Sequence, residues 1–229
     1  MKTFAQNVIQ FNKNLGLSIN VPGVEVLNPF LTKSALDISA AFYNKYYNDS
    51  NPRTFLFGIN PGRFGAGVTG IPFTDPINLE NHCGIQNSLD KKPELSSQFI
   101  YQMIEALGGA DEFYSRFFVT AVSPLGFTKD GNNLNYYDIK ELQQSLKPFI
   151  ISTIKKQLDF GANTKCAICI GGGKNFKYFN ELNKQHHFFD FILPLDHPRF
   201  IMQYRRKKLD GYVEKYLDAL GKCEALNRG

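Results

Sequence analysis

Four short apolar runs constrain this chain more than anything else in it: residues 54–59, 117–122, 166–170 and 188–193. Each is nearly continuous in hydrophobic residues and shows no alternation. That pattern suits strands covered on both faces rather than on one. Before, between and after the runs lie helical patterns at about 33–47, 96–107, 138–158, 174–184 and 203–220. Strands alternating with helices call for parallel crossovers. The expected fold is therefore α/β: a three-layer α/β/α sandwich on a central four-stranded parallel sheet. At 229 residues the chain fits one domain, 1–229, with residues 1–50 as an N-terminal helical segment.

Each run leads into a polar, glycine- or proline-rich loop. The first ends in Gly58-Ile59-Asn60-Pro61-Gly62-Arg63-Phe64-Gly65, and the second in Ser123-Pro124-Leu125-Gly126. The third ends in Gly171-Gly172-Gly173-Lys174-Asn175, and the fourth in Asp196-His197-Pro198-Arg199. Ligands of open parallel sheets bind outside the carboxyl ends of the strands. Four such loops at one sheet edge make a site there more probable than any one of them does alone.

Singly, the residues are weaker signals. Asn60 is followed by Pro61 and Gly62, which limit backbone freedom and let a ligand come close, yet a turn asparagine is common. Phe73, in Gly70-Ile71-Pro72-Phe73, reads equally as a core ring. His197 is one of four histidines, and a lone histidine is more often structural than catalytic. Its place directly after a strand, before Pro198 and Arg199, shifts that balance. His82, His186 and His187 have no comparable setting.

Gly172, Gly173 and Lys174 open a helix and offer N–H groups and a positive dipole end to an anion. The nucleoside-triphosphate pattern G-x-x-x-x-G-K-[ST] fails here, because Ile168 stands five before Gly173 and Asn175 follows the lysine. The G-x-G-x-x-G dinucleotide pattern fails as well. A nucleic-acid phosphate is the better guest, and no cofactor is expected. The net charge of +5 is a mild bias, but Arg199, Arg205, Arg206, Lys207 and Lys208 fall within ten residues, at the expected opening of the last helix. Cys166 and Cys169 form a C-x-x-C inside a strand, where residues three apart point to opposite faces. Buried reduced thiols are expected there rather than a metal site. No run reaches the roughly 18 apolar residues of a membrane helix, and the N-terminus has no apolar signal core. A cytoplasmic address, without membrane contact, is the expectation.

The loops together resemble a known family. Gly58 to Gly65, followed by Thr69-Gly70-Ile71-Pro72-Phe73, is similar to the first motif of uracil-DNA glycosylases. The likeness is strongest to the single-strand-selective monofunctional branch, which carries G-M-N-P-G-P-F-G and then T-G-V-P-F-G. Phe118-Val119-Thr120-Ala121-Val122-Ser123-Pro124-Leu125 resembles that branch's second-strand motif. Ile170 to Lys174 resembles its glycine loop, and His197-Pro198 its H-P-S-P-R-N. The matches run in family order from about 54 to 205 and leave residues 1–50 uncovered.

The resemblance implies a monofunctional DNA glycosylase that cuts the N-glycosidic bond of uracil, with DNA as partner and a monomeric enzyme. Asn60 would orient the attacking water, Phe73 would stack on the extruded base, and His197 would donate to uracil O2 as charge develops on it. Gly62 would leave room beside C5, while Gly58, Ile59 and Pro61 would line the base pocket. The family's V-H-N-x-C-P-L carries a base-reading asparagine where this chain has Ala121, after Thr120. Backbone groups or Ser123 would then read that edge. His197-Pro198-Arg199 also lacks the S-P before arginine. Phe200, Ile201 and Met202 would supply the wedge that fills the gap left by a flipped base, with Arg199 and Arg205 on phosphates. Two other readings compete: a catalytically inactive DNA-binding module on the same fold, and a hydrolase or transferase acting on a small phosphorylated molecule. The second lacks a G-x-S-x-G elbow.

Overall fold

The computed structural model describes residues 2–228. In chain order its helices and strands are α1 (Phe4–Lys13), β1 (Val24–Leu27), α2 (Lys33–Tyr46), β2 (Thr54–Gly58), α3 (Ala66–Thr69), α4 (Pro76–Asn81), α5 (Leu95–Leu107), α6 (Ala110–Arg116), β3 (Phe117–Ala121), β4 (Gly126–Lys129), β5 (Asn132–Leu134), α7 (Lys140–Leu158), β6 (Cys166–Ile170), α8 (Lys174–His186), β7 (Phe191–Leu195), α9 (Pro198–Tyr204) and α10 (Leu209–Arg228). Short 3-10 turns sit at Pro29–Leu31 and Arg206–Lys208.

The main sheet has the order β3-β2-β6-β7, and every neighbouring pair is parallel. Strands β2, β3 and β6 are buried at every position, which is why their sequences are apolar without alternation. One face takes Phe4 of α1 against Phe55 and Phe118, and Phe179 of α8 against Phe57. The other face is covered by α10, which packs on β6 and β7 and also meets α5. The C-x-x-C follows this division. Cys169 accepts from Asn175 Nδ2 at 3.3 Å on the α8 side, whereas Cys166 neighbours the Cys223 thiol of α10. All four thiols are free and buried.

The fourth strand lies at 191–195, not 188–193. Phe188 and Phe189 are buried before it, in a turn that Asn183 holds by accepting from Phe189 N at 2.9 Å and donating to Phe189 O at 2.8 Å. Being an edge strand, β7 tolerates Pro194 and is partly exposed along its length. The last helical stretch is also different: α9 ends at Tyr204 and α10 starts at Leu209, so the basic run 205–208 occupies the turn between them. The N-terminal segment is not wholly helical, because β1 pairs antiparallel with β4.

That pairing belongs to a second, three-stranded sheet, β1-β4-β5, which the hydrophobic pattern did not announce. Its hairpin turns on Asp130-Gly131, both at positive φ (49° and 71°), the two-residue type that matches strand twist. The hairpin matters to the site: it returns residues 134–136 to the exit of β2. Along the main sheet, the chain leaves β2 outward to β3 and then crosses to β6 on the other side. Ligand crevices form where strand order reverses in this way, at the carboxyl ends.

Candidate active site

A cavity of about 430 Å³ opens at that end of the sheet. Its wall includes Gly58, Ile59, Asn60, Pro61, Gly62 and Phe73 from the first loops and His197, Arg199 and Phe200 from the last.

Asn60 is held by backbone alone. Its Oδ1 accepts from Tyr136 N at 3.0 Å, and its Nδ2 donates to Leu134 O at 3.2 Å and Pro61 O at 3.3 Å. An N–H can only donate and a carbonyl can only accept, so these partners fix which end of the amide is which. The carbonyl oxygen keeps a second lone pair for a further donor. Behind it, Tyr136 donates through its hydroxyl to Asn175 Oδ1 at 2.8 Å, and Asn175 Nδ2 reaches Ile170 O at 3.0 Å and Gly58 O at 3.4 Å. One buried network thus ties the ends of β2 and β6 to the peptide that grips Asn60. Tyr136 and Asn175 were not among the sequence candidates. Only the Asp-Gly turn hinted that this stretch comes back to the sheet.

Phe73 has a left-handed backbone, φ 52°, a conformation that costs a bulky residue energy and recurs at functional sites. The loop around it is pinned by Thr69 Oγ1, which donates to Thr74 O at 2.8 Å. Its ring lies where a side chain on Gly58 would go: a Cβ there would come within 2.9 Å of Phe73 Cε2. The glycine at the end of β2 is therefore demanded by the ring. Gly62 differs, since a Cβ there would meet only Asn133 Nδ2, at an ordinary 3.4 Å. Packing does not require that glycine, and its absent side chain keeps this part of the cavity open.

Across from Phe73, ring centroids 5.8 Å apart, stands His197. It caps α9, and its Nδ1 accepts from Arg199 N at 3.2 Å. With Nδ1 an acceptor, the proton of the neutral ring sits on Nε2. Desolvation by the surrounding protein, and then the nearby Arg199 charge, lower its pKa to about 4. The ring is a neutral donor at neutral pH. The unfolded chain takes up this proton near 6.5. Between about 6.5 and 4 it therefore binds more protons than the folded state. The stability associated with His197 is complete above 6.5 and declines as pH falls toward 4. An NMR titration is expected to find the ring unprotonated down to about pH 5, and melting curves of His197→Asn are expected to be flatter with pH over that window. A ring that titrates near 6.5 would contradict this environment.

Other sequence candidates are not brought to the cavity. Ser123 is fully buried, and its hydroxyl donates to Leu125 O at 2.8 Å while its N–H donates to Ile59 O. It stitches two loops together and is not free to read a ligand. Ile201 and Met202 are 0% and 5% exposed; they pack into the core under α9, which buries one side of the helix, and cannot form a wedge. Phe200 stays at the rim, 38% exposed, beside Tyr204 at 66%, with ring centroids 5.6 Å apart. The Arg205 guanidinium lies 5.1 Å from the Phe200 ring centre. Gly172, Gly173 and Lys174 are exposed at the start of α8 and lie outside the cavity lining.

Sequence reading also missed Glu94, whose carboxyl lies where a side chain on Gly65 would stand, 2.5 Å from such a Cβ. Burial raises its pKa, against the opposing pull of Ser96 and Arg199. Among the described residues no group of three or more His, Cys, Asp and Glu stands together, and no helix is long and apolar enough to cross a membrane.

Set beside known proteins, residues 44–221 match the model of the uracil DNA glycosylase superfamily. The chain is also similar to the crystal structure of wild-type SMUG2 of Pedobacter heparinus, at 46% identity over 100% of both chains and a TM-score of 0.94. None of the curated proteins compared with it matches.

Proposed function

The chain belongs to the uracil DNA glycosylase superfamily and hydrolyses the N-glycosidic bond of uracil in DNA, and we propose that Asn60, Phe73 and His197 carry that reaction. The observation that supports this most is the fixed polarity of the two polar groups in one cavity: a carbonyl oxygen with a free lone pair on Asn60 and an Nε2–H donor on His197.

The bond lies inside a stacked duplex, so the nucleotide must be turned out before it can be cut. Phe73 offers the flipped base a face. As the bond breaks, the sugar becomes cationic and the base anionic. DNA phosphates favour the first, and His197 favours the second by donating Nε2–H to uracil O2, a donor preorganised where charge develops. A neutral imidazole suits this role, since it donates a hydrogen bond without giving up a proton. Asn60 Oδ1 holds the water that attacks C1′. An amide is no general base, so its contribution is position. Gly172, Gly173 and Lys174 at the start of α8, with Arg199 and Arg205, take phosphates on either side. The enzyme acts as a monomer of one domain. Alkali cleavage of labelled uracil-containing oligonucleotides after incubation tests the whole reading. Strand breaks at uracil are expected; DNA that is bound but left without abasic sites would overturn it.

Phe200, with Tyr204 behind it, is the wedge in this reading. Phe200→Ala is expected to slow excision from duplex at least about tenfold more than from single strands, because only the duplex presses a partner base into the gap. Ile201→Ala is expected to do the opposite: destabilise the fold by about 2–5 kcal/mol through lost core packing, seen as a lower melting temperature, and harm both substrates alike. Equal losses for Phe200→Ala on the two substrates would remove the wedge.

A further inference from the structure

The second-strand exit lacks a base-reading side chain, yet the cavity wall there is not wholly apolar. Ala121 stands opposite Gly58 in the register of β2 and β3, lines the cavity with Phe73, and has a side chain that offers no hydrogen bond. Ser123 is committed to Leu125 O. Gln157, at the end of α7, lines the same cavity together with Thr120 and Ala121. Its side chain is 1% exposed. Thr120 Oγ1 donates to its Oε1 at 2.5 Å, and its Nε2 is buried with no hydrogen-bond partner. Buried amides are almost always paired, and a lone one calls for a specific reason. Since Oε1 holds the Thr120 proton, the end left free is the donor end, with two N–H groups.

We propose that Gln157 is the specificity-determining residue that reads the flipped base, its Nε2 donating to the exocyclic oxygen at C4 of uracil; this rests on the reading of Asn60, Phe73 and His197 as the site of excision. Two donors select a carbonyl at that position and meet an amino group, itself a donor, with an unpaired clash. Thr120 is then a positioning residue: its hydroxyl, donating to Oε1, anchors the amide with its Nε2 end free. A site built on hydrogen bonds rejects analogues lacking the matching group far more sharply than an apolar one does.

The test compares single-turnover excision of uracil, cytosine and 2-pyrimidinone, which carries only hydrogen at C4, from single-stranded oligonucleotides. The parent, Gln157→Leu and Gln157→Met are each measured, with melting temperatures. Within any one base the leaving group is unchanged, so the ratio of parent to variant isolates the contact. Both variants are expected to lose about tenfold on uracil, less than about twofold on 2-pyrimidinone, and to narrow the preference for uracil over cytosine. Methionine has nearly the length of glutamine and serves if the leucine variant does not fold. Equal losses on uracil and 2-pyrimidinone would show that the amide only holds a buried water or supports α7, and would overturn the proposal. Asn60→Ala, run alongside, separates the two failures. If it excises uracil at the parent rate, the site itself is wrong; if it is inactive while the Gln157 variants keep the parent's ranking of bases, only the role of Gln157 falls.

Discussion

Asn60→Ala is expected to lower the single-turnover rate of uracil excision by at least about 10²-fold while changing DNA affinity by less than about threefold. The Asn60 side chain hydrogen-bonds only to the peptides of Leu134, Tyr136 and Pro61, so on the proposed reading its removal takes away the water's holder and leaves phosphate contacts untouched. An interaction made only as the transition state forms lowers the rate without weakening ground-state binding. Asn60→Asp sharpens the test. A carboxylate cannot donate to Leu134 O, so the aspartate would meet that carbonyl oxygen with an acceptor. It would also bring a true base. Recovery of the rate by aspartate would place the limit on water activation; continued loss would place it on the side chain's fixed orientation. Rates and binding curves for the three proteins decide between these, and an unchanged rate in the alanine variant would take Asn60 out of the mechanism.

How much of this was legible in the chain depended on how each element is buried. Strands β2, β3 and β6 are enclosed on both faces, and their sequences say so without ambiguity. Strand β7 is an edge strand with exposed Phe191 and Pro194, so the apolar run beside it pulled the expected boundary onto Phe188 and Phe189, which are core residues of a turn. The second sheet has strands of three and four residues, too short for a period to register, though Asp130-Gly131 carried the right turn chemistry. At the site, the residues that follow a strand directly were readable: Asn60 and His197 stand where the loop motifs put them. The supports were not. Tyr136, Asn175 and Gln157 come from a hairpin return, a helix start and a helix end, and only tertiary packing brings them to the strand exits. Helical burial also sorted 200–202, which in sequence look alike: α9 turns Ile201 and Met202 inward and leaves Phe200 at the rim.

His197→Ala should cost about 10²–10³ in rate, the loss usual for one donor aimed at developing charge, and the size of the loss should depend on the base being released. The capping bond from Arg199 N holds Nδ1, leaving Nε2–H as the ring's one donor in the neutral state that its lowered pKa, about 4, maintains. A donor that stabilises negative charge on the departing base matters most when that base is a poor leaving group. For 5-fluorouracil, whose anion is more stable than that of uracil, the deficit is expected to shrink; for thymine it is expected to persist or grow. His197→Gln is the informative partner, because an amide restores a neutral donor of similar reach without the ability to titrate. It is expected to recover part of the rate and to keep the same ordering of bases. Two outcomes would count against the assignment. A deficit equal across bases of different acidity would mean that His197 acts on something other than the leaving group. A rate in the parent that rises through a pKa near 6.5 as pH falls, with the step absent from His197→Gln, would mean that the imidazolium and not the neutral ring is the active form.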